Sequence, residues 1–360
     1  MFILKNKLAL VVFFFMMIYP ASGSGDDAGL DAGVRLFKAR RYAEARTFFE
    51  EHVRAFPDDA RSYDYLGRIC LIQDELKDAV RWLEKAVALS PDGAEYHYQL
   101  SLAYGQQAQR AGILKKPGLA KKMKATVEKA IALDPDHIDA RWILMQFHMY
   151  APGIMGGDRD EAFHQAEEIK RRNIIQGHRA YATLYDRYKQ YDKAEKEYQD
   201  AIAEEPDSLI HYYDLQNWYG TRKRYQDAVA VNETILQKDS TAVNARYNIG
   251  YWQHQAGRID EAFTAYETIL ATGNQQANAH YQIGKLGAVT GRRLNEAKQH
   301  LEAFLQLETE DETFIAWAHY RLGMIHERLG DTESARASYQ KALQVKPDLR
   351  EAMDALKKIR

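Results

Sequence analysis

The chain has 360 residues, with 49 Lys plus Arg against 51 Asp plus Glu, a net charge of −2 and a hydrophobic content of 46%. That balance lacks the basic excess of a nucleic-acid-binding surface, and the apolar content is too high for wholesale disorder. A single cysteine, Cys70, rules out an intramolecular disulfide and any multi-cysteine metal centre, and only 22 Gly and 8 Pro leave room for extensive helix.

Residues 1–23 read as an export signal. Lys5 and Lys7 precede an apolar run from Leu8 to Tyr19, Pro20 breaks it, and Ala21-Ser-Gly23 offers small residues for signal peptidase. The alternative is an uncleaved anchor, but a run of this length falls short of the roughly 20 residues of a membrane span. No cysteine follows that would carry a lipid. Cleavage removes Lys5 and Lys7 and moves the net charge to −4. The expectation is a periplasmic or secreted protein with no membrane span after cleavage, stabilised by helix packing and not by disulfides.

The remainder repeats itself. A small residue is followed by an apolar or aromatic residue at +4, an apolar one at +8 and often Pro at +12. Ala45, Phe49, Val53 and Pro57 fit this frame, as do Ala79, Leu83, Val87 and Pro91; Ala194, Tyr198, Ile202 and Pro206; and Ala335, Tyr339, Leu343 and Pro347. Weaker copies start at Met123, Ala162, Ala228, Ala262 and Ala297. The nine starts are separated by 34, 44, 39, 32, 34, 34, 35 and 38 residues. Gly33, Gly67, Gly250 and Gly323 stand 12 residues before four of the alanines, where two helices would approach closely.

This frame resembles the tetratricopeptide repeat, TPR, over residues 26–347. Each unit reads as two amphipathic helices, A and B, with Pro closing helix B. One pair cannot bury its apolar stripe alone, so pairs must stack. The expected fold class is all-α: a right-handed TPR-type solenoid of about nine helix pairs over 24–347, then a capping helix at 348–360. That makes about nineteen helices and no strands. In the cap, Leu349, Ala352, Met353, Leu356 and Ile359 share a face that Lys357 and Lys358 avoid.

Two segments depart from the step. The third interval is too long, and the extra chain lies near 105–118. With the following turn it carries Arg110, Lys115, Lys116, Lys121, Lys122 and Lys124 before the first acid, Glu128. It reads as a solvated loop and helix face, or else as a dock for anionic lipid, glycan or acidic protein. The second departure, Ala151-Pro-Gly-Ile-Met-Gly-Gly-Asp158, reads as a structural turn with Ile154 and Met155 tucked onto the array. Asp158 and Glu161 have the spacing of a capping box. The segment lacks the Lys-Ser/Thr of a phosphate loop.

Signatures of catalysis are missing: there is no His-Glu-x-x-His, no Gly-x-Ser-x-Gly after residue 23 and no EF-hand loop. His97, His178, His280 and His319 recur early in helix A, which favours packing over metal ligation. Cys70 reads as a buried thiol, and Asp134 and Asp136 as turn residues around Pro135. No cofactor, metal site or catalytic residue is expected.

A repeated tyrosine is the sharper signal. Tyr98, Tyr213, Tyr247, Tyr281 and Tyr320 hold one register position, three before the glycine or its equivalent. The resemblance implies that this position faces a concave groove, with Asn217, Asn244, Tyr251, His254, Asn278 and Lys285 beside it. Rings and amides suit an extended peptide, although tyrosine here can equally serve the repeat's own packing. The expected function is a non-enzymatic exported adaptor or scaffold that holds a segment of an unidentified partner protein. The alternatives are a carbohydrate or surface-polymer binding module, a non-catalytic subunit of an envelope enzyme or secretion complex, an enzyme whose groups converge from distant repeats, and a self-associating scaffold.

Overall fold

The computed structural model describes residues 27–273, 276–307 and 311–359; the expected export signal at 1–23 lies outside them. The chain divides into two compact units, one ending at Glu168 and the other beginning at Ile169. The first contains α1 (Asp27–Lys38), α2 (Tyr42–Ala55), α3 (Ala60–Ile72), α4 (Leu76–Leu89), α5 (Ala94–Arg110), α6 (Lys116–Leu133), α7 (Ile138–Tyr150) and a 3-10 turn at Gly153–Met155. Helix α8 (Arg159–Arg172) runs across the division. The second unit contains α9 (Ile174–Arg187), α10 (Tyr191–Glu204), α11 (Leu209–Thr221), α12 (Tyr225–Lys238), α13 (Val243–Gln255), α14 (Ile259–Ala271), α15 (Gln276–Thr290), α16 (Leu294–Gln306), α17 (Glu312–Arg328), α18 (Thr332–Val345) and α19 (Arg350–Lys358). Among the described residues there are nineteen α-helices in paired arrangement and no strand.

The punctuation of the pairs follows from local chemistry. Pro57, Pro91, Pro135, Pro206 and Pro347 each lie just past the end of a B helix, where a residue with no N–H cannot prolong it. The turn inside six of the pairs is a Schellman closure. The amides of Arg41 and Glu75 in the first unit, and of Gln190, Arg224, Arg258 and Asp331 in the second, each donate to the carbonyl five residues back, at 2.8–3.0 Å. The residue before each amide is left-handed: Arg40, Asp74, Lys189, Lys223, Gly257 and Gly330.

The repeated small residues act as expected. Ala45, Ala79, Ala194, Ala228, Ala262, Ala297 and Ala335 are fully buried. The A-helix glycine opens the hole that the +4 residue of helix B fills: a Cβ on Gly67 would lie 2.4 Å from Leu83 Cγ, and one on Gly323 would lie 2.4 Å from Tyr339 Cε1. Tyr339 is 1% exposed, and its hydroxyl donates to Glu327 at 2.8 Å. The cap α19 buries Leu349 and Ala352 and leaves Lys357 and Lys358 in solvent.

Both departures differ in detail from the reading above. Most of the extra chain near 105–118 is helix: α5 continues to Arg110 and α6 starts at Lys116, leaving only Ala111–Lys115 between them. Gln, Ala, Arg and Lys are good helix formers, so the added residues lengthen the helices. Ile154 is not tucked in: it is 98% exposed, while Met155 is half-buried. The turn has no need of an apolar anchor, because its backbone closes on itself. Met155 donates to Pro152 at 2.8 Å, Gly156 to Gly153 at 2.9 Å, and Asp158 to the His148 carbonyl at 3.1 Å. Asp158 caps α8 through the amides of Asp160 and Glu161 at 2.8 and 3.2 Å, whereas the Glu161 carboxylate turns to Gln165. Among the described residues no helix is long and apolar enough to cross a membrane.

Candidate functional site

The register tyrosines sit on A helices, partly or wholly inside the seams between neighbouring pairs. In the first unit Tyr98 on α5 packs at 4.6 Å against His137, and burial raises its pKa. In the second unit Tyr213 lies against the core around Ile235, Tyr247 lies 6.2 Å from Tyr266, and Tyr320 lies 5.6 Å from Tyr339. Burial pushes the Tyr247 phenol up to about 12. Tyr281 is the extreme case at 4% exposed, held between Phe304 and Phe314 with centroids at 5.2 and 5.0 Å. The expected row thus separates into rings that build the seams and groups that reach solvent. Asn217 on α11, Asn244 and Tyr251 on α13, and Asn278 on α15 are exposed or half-exposed, Tyr251 at 46%.

Side-chain bonds bring the A helices of the second unit next to one another. In the pair α11/α12 the usual glycine and aromatic are replaced by Gln216 and Asn232. Their hole is filled by hydrogen bonds: Asn232 donates to Gln216 at 2.9 Å and to the Ala228 carbonyl at 2.7 Å. Asn248 donates to Asn232, and the Trp252 indole donates to Gln216, which ties α13 to α11. Gly220 makes room for that indole; a Cβ there would lie 2.1 Å from Trp252 Cη2. This amide network is absent from the sequence-based expectations, although Gln216 at a glycine position and Asn232 at an aromatic position were visible signals.

The same face becomes basic toward the C-terminus. Arg321 on α17 donates to the Tyr281 hydroxyl at 2.7 Å and lies over its ring, while its buried Nε has no partner. Burial, then Arg321, lowers the pKa of Lys285 on α15; burial, then Lys285, lowers that of His254 on α13. Three cationic or potentially cationic groups on successive A helices therefore act on one another, and neither Lys285 nor Arg321 has a carboxylate within ion-pair distance among the described residues. His254 and Lys285 were among the residues expected beside the groove; Arg321 was not.

The other candidates are structural in kind. Cys70 is buried, its thiol directed at Glu75 from 3.7 Å and pushed up to about 11 by burial, the opposite of a nucleophile's environment. His97 bonds the Pro91 carbonyl at 2.9 Å, and His280 meets His300 at 2.8 Å. His178 pairs with Glu197 at 2.7 Å; with Asp200 these form a trio whose ligand atoms lie within 4.8 Å, although Asp200 is already held by Lys196.

Models of the tetratricopeptide repeat match residues 30–94, 219–279 and 316–349. No curated protein matches the chain. Among solved structures the chain is similar to TTC0263, a thermophilic TPR protein of Thermus thermophilus, at 22% identity and TM-score 0.44, covering 55% of this chain and 98% of that one. It is similar to a tetratricopeptide repeat protein from Parabacteroides merdae at 15% identity and TM-score 0.48, covering 72% and 97%. Yeast Tom70 aligns at 10% identity and TM-score 0.43, covering 93% and 88%.

Proposed function

We propose that this tetratricopeptide-repeat protein is a non-enzymatic exported adaptor, and that the A-helix face of its second unit holds an extended, acidic segment of a partner protein. Repeats of this family are generally protein–protein interaction modules. The observation that carries the finer reading is that exposed polar groups, Asn217, Tyr251 and Asn278, stand on the same series of A helices as Lys285 and Arg321, which form no ion pair among the described residues. Amides can bond the backbone of an extended segment, and a carboxylate would supply a counter-charge to the half-buried Lys285 and Arg321. Export rests on the leader-like pattern of residues 1–23. Tyr251 also offers a ring on which a sugar could stack, so carbohydrate is the second reading.

Selection from a displayed peptide library on purified protein should enrich Asp and Glu. Asn217→Ala or Tyr251→Ala should weaken a selected peptide about tenfold, the effect of a contact residue. Selection without acidic enrichment, or binding indifferent to both substitutions, would remove the reading, and glycan-array binding would replace it by the second. Tyr281→Ala is unsuitable as a probe because it would open the core.

A further inference from the structure

Three large apolar side chains stand far out of the first unit: Ile113 at 86%, Leu114 at 93% and Ile154 at 98% exposed. The next most exposed there, Phe56, is at 48%. All three belong to the two segments that break the repeat, and they lie at the same end of the helices. Ile113 and Leu114 immediately precede α6. Helix α7 returns antiparallel to α6, Lys124 on α6 acts electrostatically on His148 near the end of α7, and the 3-10 turn bearing Ile154 packs on α6.

Around Ile113 and Leu114 the unpaired charge is basic, whereas the turn bearing Ile154 runs into Asp158, Asp160 and Glu161. Lys77, Lys115, Lys116 and Lys121 form no ion pair among the described residues, and Lys122 lies 5.0 Å over the Tyr104 ring. Arg110 is paired with Asp74. A shallow groove of about 630 Å³ joins the two chemistries, lined by Leu76, Leu114 and Leu119 together with Lys77, Lys115 and Lys122.

We propose that this end of the first unit docks on an anionic phospholipid bilayer, with Ile113, Leu114 and Ile154 entering the headgroup–acyl boundary and the lysines meeting lipid phosphates. Protruding, separated apolar tips would require a matching pocket from each on a folded acidic partner, whereas a bilayer interface accepts them as they stand. Lysines beside Ile113 and Leu114 supply, with the apolar tips, the two signals that interfacial binding needs; Ile154 contributes through apolar area alone, next to the carboxylates of Asp158 and Asp160. The surface is independent of the peptide-binding reading and survives its failure.

The test uses the full chain carrying Leu114→Cys labelled with bimane; Cys70 is fully buried and does not compete for label. Vesicles of phosphatidylcholine with about 30% phosphatidylglycerol and brominated acyl chains are the probe. Because the apolar run Leu8–Tyr19 can bind lipid by itself, the local quenching at position 114 is read, not bulk sedimentation. Quenching is expected on the anionic vesicles and not on phosphatidylcholine alone. A label introduced by Lys341→Cys, on an exposed position of α18, should stay unquenched. Adding Lys115→Gln and Lys121→Gln should reduce partition by about fivefold per lysine. No quenching on anionic vesicles, equal quenching on neutral ones, or indifference to the lysine substitutions would overturn the proposal.

Discussion

The regular hairpins and the two irregular ones differ in how their A helices end. In six of the regular pairs the chain leaves the A helix through a left-handed residue and a five-back hydrogen bond, and in α15/α16 through left-handed Gly291 bonded four back to Gly287. Where the A-helix glycine is present, helix B returns with its +4 side chain in the hole, as Leu83 does over Gly67. In the α5/α6 and α7/α8 pairs the chain leaves through Ala111 and Ala151, both extended at φ −70°. Leu76 and Ile259, just beyond Schellman closures, pack on the core; Ile113, Leu114 and Ile154, beyond the extended exits, turn outward. The turn thus biases whether the next apolar residue joins the core, although Tyr191, beyond the closure at Lys189, stays 38% exposed.

The strongest way to break this comparison is to empty a regular hole. Tyr339→Ala should cost about 3–5 kcal/mol, because it removes a buried ring from over Gly323 and leaves Glu327 without its donor. A urea midpoint near the parent's would mean that the hole is not a locking point. A smaller effect sharpens the contrast between turns. Gly330 has φ 82°, so Gly330→Ala should cost about 1–2 kcal/mol in thermal unfolding. Gly112, in the irregular turn, has open space where a Cβ would be and no left-handed φ, so Gly112→Ala should stay within about 0.5 kcal/mol of the parent. Equal costs at the two glycines would erase the distinction.

Much of this was legible in the sequence because it is written several times. The recurrent Ala and Gly predicted the paired helices, and Asp158 announced its cap by spacing alone. What stayed hidden depends on contacts between distant segments. Tyr247 and Tyr281 share a register, yet only Tyr281 is enclosed, by Phe304, Phe314 and Arg321 from later segments. Nothing local distinguishes them. The outward turn of Ile154 was equally hidden, since it follows from a 3-10 turn that satisfies its own backbone. The helical character of 106–110 was readable from its Gln and Ala content, but the unusual repeat length invited a loop.

Whether the exposed A-helix face of the second unit receives the ligand is tested most directly by site-specific photo-cross-linking. Benzoylphenylalanine is placed at Tyr251 on α13 or at Thr264, an exposed position on α14, and each protein is irradiated with a selected acidic peptide. The account predicts an adduct from position 251 that excess unlabelled peptide suppresses, and none from 264. An adduct from 264 alone, or none from 251 under saturating peptide, would contradict it.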